Sequence, residues 1–398
     1  MYLKGDFFVS NKIQKFFKVI MLILLVAIIT WTLTITVMYK KLGIISITSS
    51  TNNSDITKIA STLAKFKTII DKEYLGEIKE EDLINGAVKG YIEALGDPYT
   101  EYLTEEEMND LETYTSGNYV GIGVYIGANI EENKIVVISP IKDSPAEKAG
   151  IKAGDIILKV DDKTYEAKEL TDASNNIKGK EGTKVKLEIL RDNETLNFEI
   201  ERKVVKLQYI SGTVIENDIG YIAITSFDEE AAKDFTNTYN ELKEKNIKSL
   251  IIDLRDNGGG VVDEALKITD MFLEKDKTML ITVDKNNNKK YSKTKSDKTI
   301  DIPVIILAND ASASASEIFI GALKDNERSK VVGTTTFGKG LIQQLRKMQN
   351  GTGLKVTIAE YFTPNENPIN KKGIEPDYKV EIEGNKDTQL QKAIELLK

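Results

Sequence analysis

The sequence contains no histidine and no cysteine in 398 residues. The absence of histidine excludes Ser-His-Asp and Cys-His catalysis and removes the commonest zinc ligand. The absence of cysteine excludes disulfides, thiolate nucleophiles and thiolate metal sites. Any proton transfer must therefore fall to lysine, aspartate, glutamate, tyrosine or water. We expect neither a metal nor a cofactor.

The chain also has no surplus of positive charge. Its net charge is −8, and no basic stripe is interleaved with aromatic residues, which argues against a nucleic-acid partner. Asn257-Gly258-Gly259-Gly260 follows an apolar strand pattern and precedes a helical one, as phosphate loops do. However, the segment contains neither Gly-Lys-Ser/Thr nor GxGxxG. Nucleotide binding therefore stays a distant alternative to a loop that presents N–H groups to a peptide carbonyl.

Residues 19–38 form an uncharged, mostly apolar run that is long enough to cross a bilayer as a helix. More lysines precede this run than follow it, so we place the N-terminus in the cytoplasm and the rest of the chain outside the cytoplasmic membrane. No small-x-small cleavage pattern follows closely, which favours an uncleaved anchor. A buried core helix is the alternative, and the length of the run disfavours it.

The rest of the sequence divides into segments that differ in their helix, strand and turn patterns. We predict a cytoplasmic tail at 1–18, the transmembrane anchor at 19–39, a linker and helical region at 40–115, a domain of short strands at 116–205 and a mixed α/β core at 206–398. The helical region has helix patterns at 55–74, 79–95 and 105–114 and is compatible with a homodimer. Residues 284–296 are polar and predict a surface loop.

Three alternate serines, Ser312, Ser314 and Ser316, lie between a buried strand pattern and a helical pattern. A strand-to-helix junction leaves backbone N–H groups unpaired at the positive end of the helix dipole. Such a place suits an anion, including the oxyanion of acyl transfer. The structural alternative is a capping box formed by Ser314 and Glu317.

Without histidine, a serine can be activated by a neutral lysine. Lowering the lysine pKa of about 10.4 by about three units costs about 4 kcal/mol and requires burial. Lys339 is flanked by glycines and lies between Phe337 and Leu341, a setting compatible with desolvation. Gln343 could orient Lys339 without adding a charge. The alternatives are a solvated lysine in a surface turn and a polar residue on a sheet edge.

The segment Gly121-Ile122-Gly123-Val124, followed by SPAEKAGIKAGDIILKVDD at 144–162, resembles a PDZ domain of the bacterial protease type. The resemblance implies that the domain captures a C-terminal peptide by strand addition, with the N–H groups of the glycine loop on the terminal carboxylate. An ordinary glycine-rich turn is the alternative for the loop alone.

Most of residues 70–380 resemble a carboxyl-terminal processing peptidase. The matching segments are LGDPYTEYL at 95–103, DLRDNGG at 253–259, SASASEI at 312–318, FGKGLIQ at 337–343 and GIEPD at 373–377. The resemblance implies a membrane-anchored, PDZ-gated endopeptidase that cleaves extracytoplasmic proteins near their C-termini. It assigns Ser314 as the nucleophile, Lys339 as the base and Gln343 as its support.

The same resemblance implies an α/β fold with a core related to crotonase and ClpP, an inserted PDZ domain, an N-terminal helical region and one transmembrane helix. It also implies an oxyanion hole that uses the backbone N–H groups of Ala315 and of Gly258 or Gly259. The rival hypothesis is a catalytically silent, membrane-anchored PDZ scaffold. The presence of Ser314, Lys339 and Gln343 argues against it.

Overall fold

The computed structural model describes residues 25–26, 29–32, 34, 53–297, 299–384 and 386–398. The predicted anchor at 19–38 lies mostly outside these residues. Among the helices that are described, none combines the length and the apolar character needed to cross a bilayer. The described part of the chain divides into two units with a boundary between Leu83 and Ile84, and the candidate site lies wholly in the second.

The N-terminal region is helical, as predicted. Its helices are α1 (Asn53–Glu73), α2 (Glu80–Glu93) and α3 (Glu105–Ser116). Thr104 caps α3 through a capping box, and Gly117 ends it in the left-handed conformation with φ 67°. A short strand, β1 (Glu101–Leu103), lies between α2 and α3 and belongs to the core, because it pairs with a core strand.

The predicted PDZ segment forms a sheet with the order β3-β4-β5-β7-β8, to which β6 is added beside β5. The elements are β2 (Asn118–Gly121), β3 (Val124–Asn129), β4 (Lys134–Pro140), α4 (Pro145–Ala149), β5 (Ile156–Val160), β6 (Lys163–Thr164), α5 (Leu170–Ile177), β7 (Lys184–Arg191), β8 (Glu194–Glu201) and β9 (Lys203–Lys206). The hairpin turn between β7 and β8 has positive φ at both Asp192 and Asn193. Strands β2 and β9 pair with each other and connect this domain to its neighbours.

The core contains a six-stranded sheet with the order β10-β11-β12-β15-β16-β19. All its pairs are parallel except β10 with β11. The elements are β10 (Ile210–Ile215), β11 (Ile219–Ile224), α6 (Ala231–Glu244), β12 (Ser249–Asp253), α7 (Val262–Asp270), β15 (Val304–Ala308), α8 (Ala315–Asp325), β16 (Lys330–Gly333), β19 (Tyr378–Lys379) and α9 (Thr388–Leu397). Every residue of β12 and β15 is buried, as expected for strands covered on both faces. Helices α6, α7 and α8 pack on one face, and α9 packs on the other.

A second, antiparallel sheet lies beside the first. It consists of β1, β13 (Thr278–Asp284), β14 (Lys289–Lys293), β17 (Leu341–Lys347) and β18 (Gly353–Phe362). Residues 284–296 are therefore not simply a loop: β14 pairs with β13 in a hairpin, and the prediction of a loop there was wrong. The prediction failed because the strand is Lys-rich and exposed and has no apolar alternation.

Candidate active site

The candidate site lies at the carboxyl ends of β12 and β15, where ligands bind in open α/β sheets. The loop after β12 carries Asn257 to Gly260, and the turn after β15 carries the three serines. The antiparallel sheet adds Lys339 just before β17, Gln343 within it and Tyr361 on β18.

The structure separates the three serines by their partners. The Ser312 hydroxyl donates to the carbonyl oxygen of Leu254 at 2.7 Å, and the Ser316 hydroxyl donates to that of Asn257 at 2.9 Å. Both side chains are fully buried, whereas Ser314 between them is partly exposed. The outer serines thus attach the turn to the loop after β12, and Ser314 is the one presented to the cleft.

Ser314 has an unusual backbone conformation, with φ 56° and ψ −116°. A non-glycine residue in such a region costs about 1–3 kcal/mol and persists only where its surroundings hold it. A strained strand-to-helix turn is also how α/β-hydrolases expose their nucleophilic serine. The capping box of Ser314 and Glu317 that the sequence suggested is present, but the backbone conformation is not that of an ordinary N-cap and is compatible with a presented nucleophile.

The buried carboxylate of Glu317 holds Ser314 in place. It accepts the N–H of Ser314 at 3.0 Å, of Lys339 at 2.9 Å and of Gly338 at 2.7 Å, and the hydroxyl of Thr336 at 2.6 Å. Burial raises the pKa of Glu317, while the four donated hydrogen bonds favour the charged form. One carboxylate thus fixes the main chain of both the serine and the lysine.

Tyr361 makes a second connection between the same two residues. Its hydroxyl lies 3.1 Å from the carbonyl oxygen of Ser314 and also contacts that of Lys339. The ring is fully buried, and burial raises the pKa of its phenol well above the ordinary value, so the phenol remains a donor. Ser314 and Lys339 are therefore connected on both the N–H and the carbonyl side.

Lys339 has the electrostatic setting that a neutral base requires. Burial lowers its pKa, the charge of Lys355 lowers it further, and Glu101 and Glu317 act in the opposite direction. Its ammonium nitrogen lies 5.0 Å from the centroid of the Tyr99 ring. Among the ion pairs of the described residues, none includes Lys339, so the two carboxylates act on it only from a distance.

Gln343 lies near this lysine in the chain, but its hydrogen bonds go elsewhere. Its amide nitrogen donates to the carbonyl oxygen of Leu341 at 3.3 Å and to the hydroxyl of Thr357 at 3.4 Å. A β-bulge between Ile342 and Gln343 changes the direction of the side chains here. No hydrogen bond joins Gln343 to Lys339 in the described part of the chain, so its orienting role stays a prediction.

The segment before β1 supplies a wall of the site. Asp97 accepts the N–H of Tyr99 at 3.0 Å and the hydroxyl of Thr100 at 2.6 Å, and Thr100 in turn accepts the N–H of Thr357 at 3.0 Å. Burial alone would raise the pKa of Asp97, but these hydrogen bonds hold it below the ordinary value. They place the Tyr99 ring beside Lys339.

The glycine loop packs directly against the serine turn. A Cβ on Gly259, whose φ is 109°, would lie 2.8 Å from the Cβ of Ser314 and 3.0 Å from the nitrogen of Ala315. The N–H of Gly259 donates to the side-chain oxygen of Asn257 at 2.8 Å, whereas a Cβ on Gly258 would meet nothing within 4 Å. Gly259 thus permits the close approach, and Gly258 faces open space.

The predicted carboxylate-binding loop lies in the PDZ domain. Ile122 is fully buried there, and Val124 begins β3. Gly123 has φ 78°, and its carbonyl oxygen accepts the hydroxyl of Ser144 at 2.9 Å. Gly121 ends β2. The loop is therefore fixed from the inside of the domain.

Sequence reasoning missed three residues of the site, namely Tyr99, Thr336 and Tyr361. Tyr99 lies in the segment at 95–103 that carried the family resemblance, and this was the available signal. Thr336 and Tyr361 gave no local signal, because their partners are distant in the chain.

Comparison with known families agrees with this architecture. Residues 218–380 match peptidase family S41, residues 120–201 match a PDZ domain, and residues 26–107 match the N-terminal domain of the activating protease CtpB. The carboxy-terminal processing protease CtpA of Bacillus subtilis is 34% identical over 92% of this chain and 77% of its own. CtpB of the same organism is 37% identical over 81% of this chain and 68% of its own. An S41 protease structure from Bacteroides fragilis shares the fold, with a TM-score of 0.50 at 14% identity over 78% of this chain and 89% of that one.

The fold and these relatives define a serine-type peptidase with a PDZ domain. The chain belongs to the carboxy-terminal processing proteases of peptidase family S41. The predictions of a mixed α/β core, a PDZ domain and peptidase activity are confirmed.

The role of Glu317 can be tested with Glu317→Gln. An amide presents an NH₂ group to at least one donor that the carboxylate now accepts, so we expect a loss of about 1–3 kcal/mol in unfolding free energy. Misplacement of the serine and lysine should lower kcat about 100-fold or more, with little change in KM. Steady-state kinetics and denaturant unfolding measure the two effects.

Glu264→Gln is the matched control, since Glu264 is also a buried glutamate and accepts the N–H of Ala232 at 3.0 Å. It should lose stability and keep its kcat. Equal kcat values for the two variants would show that Glu317 has only a general structural role.

Proposed function

We propose that the chain is a membrane-anchored serine endopeptidase that cleaves extracytoplasmic proteins near their C-termini with Ser314, Lys339 and Gln343. The observation that carries the proposal is the double connection between Ser314 and Lys339 through the Glu317 carboxylate and the Tyr361 hydroxyl. A turn with only a structural role would not require a strained serine and a lysine from a distant segment to be fixed by the same two side chains.

The proposed reaction begins with attack by the Ser314 hydroxyl oxygen on the scissile carbonyl carbon. The serine proton passes to the neutral amine of Lys339, which then protonates the leaving amine as the peptide C–N bond breaks. Water attacks the acyl-enzyme in the second half, with Lys339 again as the base. Gln343 supports the lysine.

The N–H groups of Ala315 and Gly258 are the proposed donors to the oxyanion. Ala315 is the first residue of α8 and adjoins the nucleophile, where helix N–H groups lack intrahelical partners. The open space beside Gly258 supports its choice over Gly259, whose N–H already has a partner.

The PDZ domain is proposed to capture the free C-terminus of the substrate. Strand β3 lies at the end of its sheet and pairs with β4, so its other edge is available for strand addition. The rival scaffold is not favoured, because the lysine is desolvated beside a strained serine. The homodimer stays a prediction; exposed apolar residues along α1, Ile56, Ile59, Leu63 and Phe66, are compatible with it.

The serine assignment predicts different outcomes for three alanine variants. Ser314→Ala should abolish cleavage of an unstructured protein substrate. Ser312→Ala and Ser316→Ala should retain kcat but lose about 1–3 kcal/mol of stability each, because a buried carbonyl loses its donor. Mass spectrometry of the products, together with labelling by a serine-reactive probe, provides the measurement. Equal loss of activity in all three would overturn the assignment.

The pH dependence tests Lys339 as the base. Cleavage requires the neutral amine, so kcat/KM should rise tenfold per pH unit below the lysine pKa and level off above it. Lys355 lowers the pKa of Lys339 and Glu101 raises it. Therefore Lys355→Gln should move the rising limb to higher pH, and Glu101→Gln should move it to lower pH.

These opposite shifts should shrink at high ionic strength, because part of the interaction is screened by salt. Shifts of the same sign, or no shift in either variant, would mean that another group controls the profile. Lys339→Arg should be inactive at every pH, since a guanidinium is not deprotonated in proteins.

The anchor predicts that the full chain fractionates with membranes. An apolar helix at 19–38 should resist alkaline carbonate and be released by detergent. Protease added to intact spheroplasts should digest the part after residue 42. Recovery of the untreated chain in the soluble fraction would contradict the anchor.

A further inference from the structure

The PDZ loop at 121–124, which would bind a substrate carboxylate, already contacts a side chain of this protein. Tyr119 lies on β2, directly before the loop, and pairs with Val205 of β9. Its ring lies over Gly121, where an added Cβ would be 2.6 Å from a ring carbon of Tyr119. The absence of a side chain at Gly121 is what lets this ring fold back over the loop.

Burial raises the pKa of the Tyr119 phenol, and the nearby backbone N–H groups of Val124 and Gly123 act in the opposite direction. The phenol is therefore neutral at physiological pH. These N–H groups belong to the same loop to which the resemblance assigned the terminal carboxylate of a bound peptide. A hydroxyl group of the chain thus lies beside them in the resting structure.

Tyr119 also borders the groove into which such a peptide would add as a strand. The groove has a volume of about 200 Å³ and lies between Val124 to Ile126 of β3 and Ser174 to Ile177 of α5. Tyr125 lines the same groove and is 45% exposed. The two tyrosines therefore share one cavity, and the ring of Tyr119 is the one that lies over Gly121 of the loop.

We propose that Tyr119 is an internal ligand that closes the carboxylate-binding loop, so that a substrate must displace its hydroxyl to dock its C-terminus. The inference rests on the proposed capture of C-termini by the PDZ domain and adds how that capture is regulated. The competing ligand is a free α-carboxylate, which carries a full negative charge and makes stronger hydrogen bonds to N–H groups than a neutral phenol does.

Displacement of Tyr119 would be transmitted to the loop at 257–260, after β12, through a few contacts. Strand β2 continues back into Gly117, whose added Cβ would lie 2.2 Å from the carboxylate of Asp228. The neighbouring Thr115 carbonyl accepts the N–H of Glu229 at 2.9 Å, and the N–H of Phe227 donates to the carbonyl of Gly259 at 2.9 Å. Movement of β2 thus acts on the segment at 227–229, which supports the loop at 257–260 beside Ser314.

The test measures peptide affinity in the full chain carrying Ser314→Ala, so that the probe is not cleaved. The probe is a fluorescent unstructured peptide with an apolar C-terminal residue, made with a free carboxylate and also with a C-terminal amide. Tyr119→Phe keeps the ring and removes the competing oxygen. We expect it to tighten binding of the carboxylate peptide about fivefold or more and to leave the amide unchanged. Tyr125→Phe, in the same groove, is the matched control and should change neither.

Unchanged or weaker binding in Tyr119→Phe would overturn the proposal, and so would an equal gain for the amide or the absence of binding in every variant. Cleavage of an unstructured protein by the wild-type chain is measured in parallel. If cleavage occurs but the binding result fails, only the inference about Tyr119 is lost. If cleavage also fails, the proposed function is lost as well.

Discussion

The geometry of the candidate site depends on one buried carboxylate, that of Glu317. Burying an anion is costly unless donors surround it, and here four donors do so. Three of them are backbone N–H groups, so the carboxylate fixes main chain from α8 and from the segment before β17 at the same time. Its charge raises the pKa of Lys339, but it contacts the lysine backbone rather than the amine. The Glu317 carboxylate thus positions the backbone of Lys339, while burial of the lysine side chain keeps the pKa of Lys339 below its ordinary value.

The three serines show how identical residues acquire different roles. The repeat Ser-Ala-Ser-Ala-Ser is nearly symmetrical in sequence, but the turn is not symmetrical in space. Ser312 and Ser316 point into the protein, where their hydroxyl groups donate hydrogen bonds to the carbonyl oxygens of Leu254 and Asn257. Ser314 takes the strained conformation between them. The flanking hydrogen bonds help to hold this strain, which is a cost that an exposed turn could not sustain.

Local patterns predicted most of the elements, because their causes are local. The helix patterns at 55–74, 79–95 and 105–114 match α1, α2 and α3 to within about two residues at each end. Strand β14 was missed, since its lysines face solvent and only pairing with β13 makes it a strand. The same limit applies to the site. Ser314 and Lys339 follow from chemistry and resemblance, whereas Tyr361 and Thr336 depend on contacts between segments that no periodicity relates.

The junction between the PDZ domain and the core contains a buried carboxylate, that of Asp228. Asp228 is buried beside Gly117, and one of its carboxylate oxygens has no hydrogen-bond partner among the described residues. Burial raises its pKa to about 6. An unsatisfied polar group of this kind costs about 1–3 kcal/mol. On one side Asp228 adjoins the start of β2, and on the other Phe227 bonds to Gly259 beside Ser314. The charge state and the partners of this one carboxylate therefore affect the contact between β2 and the loop beside Ser314.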